Sequence, residues 1–168
     1  MHKSLEYIDT LYLDLFGVLL GVDYSTIVQY VKDSTGASTN HIYTVLFGEK
    51  SMRLLRKEIS WDQYFQHVQR NINSGDIIKY ESFYQLWMQM SLGILPMSQY
   101  LETYFRKINI IIITNTTMEH INKLKGQYGF FKYINNIITT DIAKSSKPQY
   151  DIFSYASNIA QSSLSQGA

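Results

Sequence analysis

The sequence LYLDLFGVLLG, residues 11–21, places a single carboxylate, Asp14, directly after a short apolar run. The run predicts a buried strand, and Gly17 permits a tight turn behind it. A carboxylate in such a place must be compensated or used in chemistry, because burying an unpaired charge is costly. Asp14 is therefore a candidate functional residue, although a capping Asp in a strand-to-loop turn would give the same pattern.

Two further apolar runs follow, and each precedes a helical pattern. Residues 108–113 are isoleucine except for Asn109, and a weaker run covers residues 134–140. Runs of β-branched residues without alternation are typical of strands buried on both faces of a parallel sheet. Residues 116–119 then have the form of a capping box, and Pro148 fits the first turn of a last helix. The order strand, helix, strand, helix predicts an α/β fold.

The segment between the first and second runs has a different character. Residues 22–95 contain helical patterns broken at glycines and no convincing strand. Ser60 and Gln63 form a second capping box, and the aromatic stripes that follow favour helix-on-helix packing over ligand contact. We therefore predict an α/β core made of residues 1–21 and 96–168, with residues 22–95 inserted as a helical unit.

Composition limits the classes of partner. The 168 residues carry 15 Lys and Arg against 14 Asp and Glu, which gives no electrostatic reason to expect nucleic acid or an anionic membrane surface. No apolar run approaches the roughly 20 residues that span a bilayer. The chain has no Cys, which excludes thiolate chemistry and is compatible with a reducing cytoplasm. We expect a cytoplasmic protein with a small-molecule substrate.

Polar groups also follow the second and third predicted strands. Thr114 and Asn115 come directly after residues 108–113, and Lys147 precedes Pro148 beyond the third run. The carboxyl ends of parallel strands meet at one edge, where open α/β sheets bind ligands. The amides that open the following helix could hold an anion there. Alone, each piece also fits an ordinary helix start or an incidental Lys-Pro pair.

Taken together and in this order, three segments resemble the first three motifs of the haloacid dehalogenase superfamily. They are LYLDLFGVLLG at residues 11–21, IIIITNTT at residues 110–117 and TTDIAKSSKPQYDIF at residues 139–153. The resemblance covers residues 12–159 and implies a Rossmann-like parallel sheet with three main strands. It also implies that the helical insertion is a cap, of the type that closes over the active site.

The resemblance assigns roles to individual side chains. It implies that Asp14 is a nucleophile that forms a covalent aspartyl intermediate. Thr114 would hydrogen-bond the transferring group, and Lys147 would neutralise charge on the nucleophile and on that group. Asn115, Phe16 and Gly17 would line the substrate site. In phosphatases of the family, Mg²⁺ bridges the carboxylate and a backbone carbonyl, here those of Asp14 and Phe16, and the substrate.

Two departures from the family pattern bear on the chemistry. Phosphatases of the family typically carry a second Asp where this chain has Phe16, and Phe16 can neither protonate a leaving group nor activate water. An aromatic residue there resembles the dehalogenase branch, whose halide leaving group needs no proton. The family's fourth motif, an acidic pair, has no counterpart after Ile159, so we expect an incomplete Mg²⁺ site and an open sheet edge. A dimer or a partner chain could supply the missing strand.

The leading expectation is phosphatase-type hydrolysis of a small phosphorylated metabolite through Asp14. Dehalogenation of a small halo-acid is the alternative chemistry. The alternative from another class is a truncated or catalytically impaired family member that acts as a binding or interaction module.

Two weaker features complete the sequence predictions. Arg53, Arg56 and Lys57 form a small basic cluster that is either a solvated helix face or a contact for an anionic substrate. His120 follows Glu119 in a predicted helix, and we expect it at the surface rather than in catalysis.

Overall fold

A computed structural model describes residues 8–104 and 108–165 of the chain. Of the described residues, those up to Gly21 and those from Gly93 onward form one compact unit, and Val22–Leu92 form the other. The chain crosses between the units in two short strands, β2 (Leu20–Val22) and β3 (Ser91–Ile94), which pair as a two-stranded sheet. These strands correct the expectation that residues 22–95 are helical throughout.

The first unit is built on a parallel sheet of three strands in the order β1-β4-β5. Its strands are β1 (Thr10–Leu13), β4 (Asn109–Thr114) and β5 (Asn136–Thr139). The register pairs Leu13 of β1 with Ile112 of β4, and Thr114 of β4 with Thr139 of β5. Together with its helices, this sheet confirms the predicted α/β, Rossmann-like fold.

Helices cover both faces of the central strand β4. They are α6 (Met97–Tyr104), α7 (Met118–Lys125), α8 (Thr140–Ala143) and α9 (Tyr150–Ser165), with a 3-10 turn at Gly129–Tyr133. Ile110 and Ile112 pack in one apolar cluster with α6 and α7, whereas Ile111 and Ile113 pack in another with α9. Because successive strand residues point to opposite faces, an all-isoleucine strand fills both layers.

Strand β1 departs from the sequence prediction. It was expected to be buried on both faces, yet Tyr12 is 42% exposed. Tyr12 pairs with Ile111 and therefore lies on the sheet face that α9 covers. Helix α9 packs on β4 and β5, so the edge strand extends beyond it. Among the described residues, β1 pairs with β4 alone, and a partner strand for its other edge stays a prediction.

The second unit is helical between its terminal strands. It contains α1 (Ser25–Thr35), α2 (Thr39–Phe47), α3 (Glu49–Leu55), α4 (Trp61–Ile72) and α5 (Tyr80–Trp87). The predicted capping box is present: Ser60 Oγ accepts from Gln63 N at 3.2 Å, and Gln63 Oε1 accepts from Ser60 N at 2.9 Å. The aromatic stripes form a buried core, as predicted. The rings of Tyr64, Phe65 and Trp87 each contact the ring of Phe83.

Two helix starts lie later than the sequence suggested. Thr117, not Thr116, caps α7, because Thr117 is extended and its Oγ1 accepts from His120 N at 3.4 Å. Pro148 lies in a turn before α9 rather than in its first helical turn, and the Lys147–Pro148 bond is cis. Gln149 closes that turn, since its N donates to Ser146 O at 2.8 Å. None of the described helices is long and apolar enough to cross a membrane.

Candidate active site

The structure brings Asp14 and Lys147 into direct contact at the carboxyl end of the parallel sheet. Lys147 Nζ lies 2.5 Å from Asp14 Oδ2, and the other carboxylate oxygen, Oδ1, accepts from Leu15 N at 2.7 Å. The Asp14 side chain is 40% exposed, so a small molecule can reach it. The carboxylate is therefore held in place by a cation and a backbone amide while remaining open to attack an electrophile.

The turn behind Asp14 has a defined backbone. Gly17 has φ +82°, which side-chain-bearing residues rarely adopt, and its N donates to Leu20 O at 2.7 Å. Leu15 and Leu19 are fully buried, so the turn is anchored from inside. This arrangement fixes the direction of the backbone that carries Asp14, and Gly17 itself is exposed beside it.

Asn115 positions the loop that carries Lys147. Its Nδ2 donates to Lys147 O at 3.0 Å, and its Oδ1 accepts from Lys147 N at 2.8 Å. The side chain thus satisfies both backbone groups of Lys147, 32 residues away in sequence, and ties that loop to the end of β4. The amide of Asn115 therefore holds the backbone of Lys147, and a direct contact of Asn115 with substrate stays a prediction.

Thr114 ends β4 with a buried hydroxyl. The residue is 1% exposed, and its Oγ1 has no hydrogen-bond partner among the residues that the structure describes. A buried polar atom without a partner costs about 1–3 kcal/mol, so its presence calls for a ligand or a bound water. The strand register places Thr114 one residue beyond the level of Asp14, because Leu13 pairs with Ile112.

Asp141 is a structural residue of this sheet edge that sequence analysis did not assign. It is buried, and its Oδ1 accepts from Thr139 Oγ1 at 2.6 Å and from Met118 N at 3.0 Å. It therefore joins the end of β5 to the first residue of α7 and satisfies one of the orphan amides of that helix. Its partner Met118 lies 23 positions away, and no local pattern signals such a contact.

Phe16 and His120 pack against each other beside the Asp14 turn. Their ring centroids are 5.6 Å apart, and His120 Nδ1 lies 3.1 Å from Thr116 Oγ1. His120 is 4% exposed, so the expectation that it lies at the surface was wrong. The helix periodicity turns its ring inward, on the same side as Ile121 and Leu124, which are also buried.

The side chains near Asp14 do not make a magnesium site by themselves. No group of three His, Cys, Asp or Glu side chains in the described ranges could hold a metal ion. The predicted ligands reduce to the Asp14 carboxylate and the Phe16 carbonyl, whereas Mg²⁺ requires octahedral oxygen coordination. Lys147 also occupies Oδ2 of that carboxylate. A Mg²⁺ ion held by these two groups would need water and substrate oxygens to complete its coordination, and the site stays incomplete among the described residues.

Comparison with known proteins identifies solved structures that have the same fold. No protein-family model matches the chain, and no curated protein matches it in sequence. Among solved structures, a haloacid dehalogenase family enzyme of Bacteroides thetaiotaomicron aligns with a TM-score of 0.75 at 15% identity, over 92% of this chain and 79% of the other. The same enzyme in complex with magnesium and inorganic phosphate aligns with a TM-score of 0.72 at 18% identity.

A second branch aligns at lower similarity. The L-2-haloacid dehalogenase of Xanthobacter autotrophicus, with chloropropionic acid covalently bound, has a TM-score of 0.61 at 14% identity, over 90% of this chain and 64% of its own. These likenesses show that the chain has the fold of the haloacid dehalogenase superfamily. That fold carries both phosphate-binding and dehalogenating enzymes, so the choice between them rests on the site.

Proposed function

We propose that this protein is a hydrolase in which Asp14 attacks the substrate and forms a covalent aspartyl intermediate. The observation that carries the proposal is the contact of Lys147 with Asp14 at the exposed carboxyl end of the sheet. The ammonium offsets the negative charge of the carboxylate, so that an anionic substrate can approach Asp14 against less repulsion. The Thr114 hydroxyl, which has no hydrogen-bond partner in the described part of the chain, adds a donor for the transferring group.

The substrate class that we assign first is a phosphate monoester of a small metabolite. In the first step an Asp14 oxygen bonds to phosphorus, and the phosphorus–oxygen bond to the alcohol breaks. The leaving oxygen takes its proton from water, because Phe16 offers none. In the second step water attacks phosphorus, the bond to Asp14 breaks, and phosphate leaves with the carboxylate restored. Support comes from the fold shared with an enzyme that was crystallised with magnesium and inorganic phosphate.

A 2-halocarboxylic acid is the second candidate substrate, and Phe16 is the observation that favours it. A halide leaves as a stable anion without a proton, so an aromatic residue two positions after the nucleophile costs this reaction nothing. Asp14 would displace the halide from carbon, and water would then hydrolyse the resulting ester. The absence of an acidic metal-binding cluster among the described residues is compatible with this chemistry as well.

Turnover of two probes, p-nitrophenyl phosphate and 2-chloropropionate, tests the proposal. Asp14→Asn keeps the shape of the side chain and removes the nucleophile, so we expect activity to fall about a thousandfold or more. Asp151→Asn is the matched control, because this exposed carboxylate lies on the first turn of α9 and should leave turnover unchanged.

The outcomes separate the candidates. Release of p-nitrophenol that depends on Asp14, with a phosphoryl group trapped on the peptide that contains Asp14, supports the phosphatase. Release of chloride without phosphate hydrolysis supports the dehalogenase. Turnover of neither compound, or turnover that survives Asp14→Asn, overturns the proposal in favour of the non-catalytic binding module.

A further inference from the structure

The helical unit contains a polar cleft that none of the chemistry above uses. Its volume is about 490 Å³, and it lies between α3 and α4. Small-molecule sites commonly have volumes of about 300–1,000 Å³, so the cleft has room for more than an inorganic ion. All of the side chains that line it belong to the unit Val22–Leu92, so its shape is set within that unit.

The side chains of helix α4 that line the cleft are all polar. Their face of the helix carries Gln63, Gln66, His67 and Arg70, which recur at intervals of three and four residues. The opposite face packs into the helical core through Tyr64, Phe65, Val68 and Ile72. Because residues three and four apart share a helix face, the polar side chains form one continuous wall that takes no part in the core.

The charges in the cleft are all of one sign. Lys50 and Arg53 come from α3 and Arg70 from α4, and no carboxylate lines the cleft in the described part of the chain. Arg53 Nε forms an ion pair with Glu58 Oε2 at 3.1 Å. Neither Lys50 nor Arg70 has an ion-pair partner among the described residues. Convergent cations repel each other, and an anion placed between them would relieve that repulsion.

The remaining members of the predicted basic cluster do not contribute. Arg56 is neutralised by Glu49 at 2.7 Å and by Glu58 at 2.5 Å, and its side chain is largely buried. Lys57 does not line the cleft. Arg53, Arg56 and Lys57 are close in sequence, but of these three only Arg53 lines the cleft.

His67 reports the sign of the local potential. Burial lowers its pKa, and the nearby charges of Lys50 and Arg70 lower it further. Asn71 Nδ2 lies 3.0 Å from His67 Nδ1, a distance at which the amide can donate to an unprotonated Nδ1. The positive charges of Lys50 and Arg70 thus lower the pKa of His67, and an anion bound between them would oppose that shift.

We propose that this cleft binds a small organic anion that carries a phosphate or diphosphate group. Guanidinium and ammonium groups form charge-assisted hydrogen bonds to phosphate oxygens, and the glutamine amides supply further donors. Ile59 gives the site an apolar contact for the organic part. The inference uses no residue of the Asp14 site and holds whichever reaction Asp14 performs.

Titration with inorganic pyrophosphate tests the site, with His67 as a local reporter. Calorimetry gives the Kd at low ionic strength, and the imidazole NMR signal of His67, assigned through His67→Gln, is followed against pH. We expect pyrophosphate to raise the pKa of His67. Lys50→Gln combined with Arg70→Gln should weaken binding about tenfold or more and abolish that response, because two charge-assisted bonds are lost.

Lys32→Gln combined with Lys79→Gln is the matched control. It removes the same charge from exposed positions of the same unit and should leave both the Kd and the His67 response unchanged. Lys50→Gln alone provides a milder variant if the double variant loses its thermal transition. A His67 signal that does not change when pyrophosphate is added overturns the inference. Equal weakening of pyrophosphate binding in the control pair and in the cleft variant overturns it as well. A His67 response abolished by Asp14→Asn but kept by the cleft variants also overturns it.

Discussion

The side-chain amide of Asn115 is hydrogen-bonded to both the backbone nitrogen and the backbone oxygen of Lys147. These two hydrogen bonds fix the backbone of the loop that carries Lys147 at the end of β4. The Lys147 ammonium then lies against Asp14. The reactive pair thus depends on a residue that contacts neither of its charged groups.

Replacing Asn115 by Ala should lower kcat about 10–100-fold, a loss typical of removing a group that orients a reactive one. The reason is that Lys147 loses its anchor while Asp14 and Thr114 remain. The measurement is steady-state kinetics on whichever probe the protein turns over. Asn135→Ala is the control, since Asn135 Oδ1 accepts from Ile110 N at 2.8 Å near the opposite end of β4. Equal losses of kcat in the two variants would show that Asn115 acts through stability alone.

Asp141→Ala should destabilise the first unit by about 1.5–3 kcal/mol, because hydrogen bonds to a buried charged group are lost. Thr139 and the first amide of α7 would both lose their acceptor. Urea unfolding monitored by circular dichroism measures the change. Asp151→Ala, at an exposed position, should cost about 1 kcal/mol or less. A stability for Asp141→Ala equal to wild type would contradict the assigned role.

Tyr64→Phe should lower the free energy of unfolding by about 1–3 kcal/mol. The Tyr64 hydroxyl is buried and donates to Leu46 O at 2.7 Å, near the end of α2 where helical carbonyls lack partners. Burial also raises the pKa of this phenol well above its ordinary value. Tyr43→Phe, whose ring is 40% exposed, should leave the unfolding free energy unchanged in the same assay.

Stability should fall as pH falls below about 6.5, in part through His67. Its pKa is lower in the folded protein than in the unfolded chain, so the unfolded state binds more protons in this window and gains from acid. Lys50, Arg53 and Arg70 face the same cleft, and His41 of α2 contacts the Asn71 carbonyl at 2.8 Å. Urea unfolding at pH about 7.5 and about 5 should show a smaller loss for His67→Gln. An unchanged pH dependence in that variant would contradict the prediction.

The sequence alone determined the elements that depend on local order. The isoleucine run predicted β4 because a strand buried on both faces needs apolar residues at every position, and the Ser60 capping box marked the start of α4 correctly. Asp14 and Lys147 could be proposed as neighbours because the ends of parallel strands meet at one edge. The order of the strands and their parallel direction are enough to predict that the two residues lie near each other.

Tertiary structure decided several contacts and exposures that strand order and chain direction do not predict. The exposed face of Tyr12 follows from where α9 ends its coverage of the sheet, and the burial of His120 follows from the packing of α7. The Asp141 contacts and the separation of Arg53 from Arg56 depend on which side chains meet across a fold. Composition and periodicity describe one segment at a time, whereas these relationships belong to pairs of segments, so only the assembled chain fixes them.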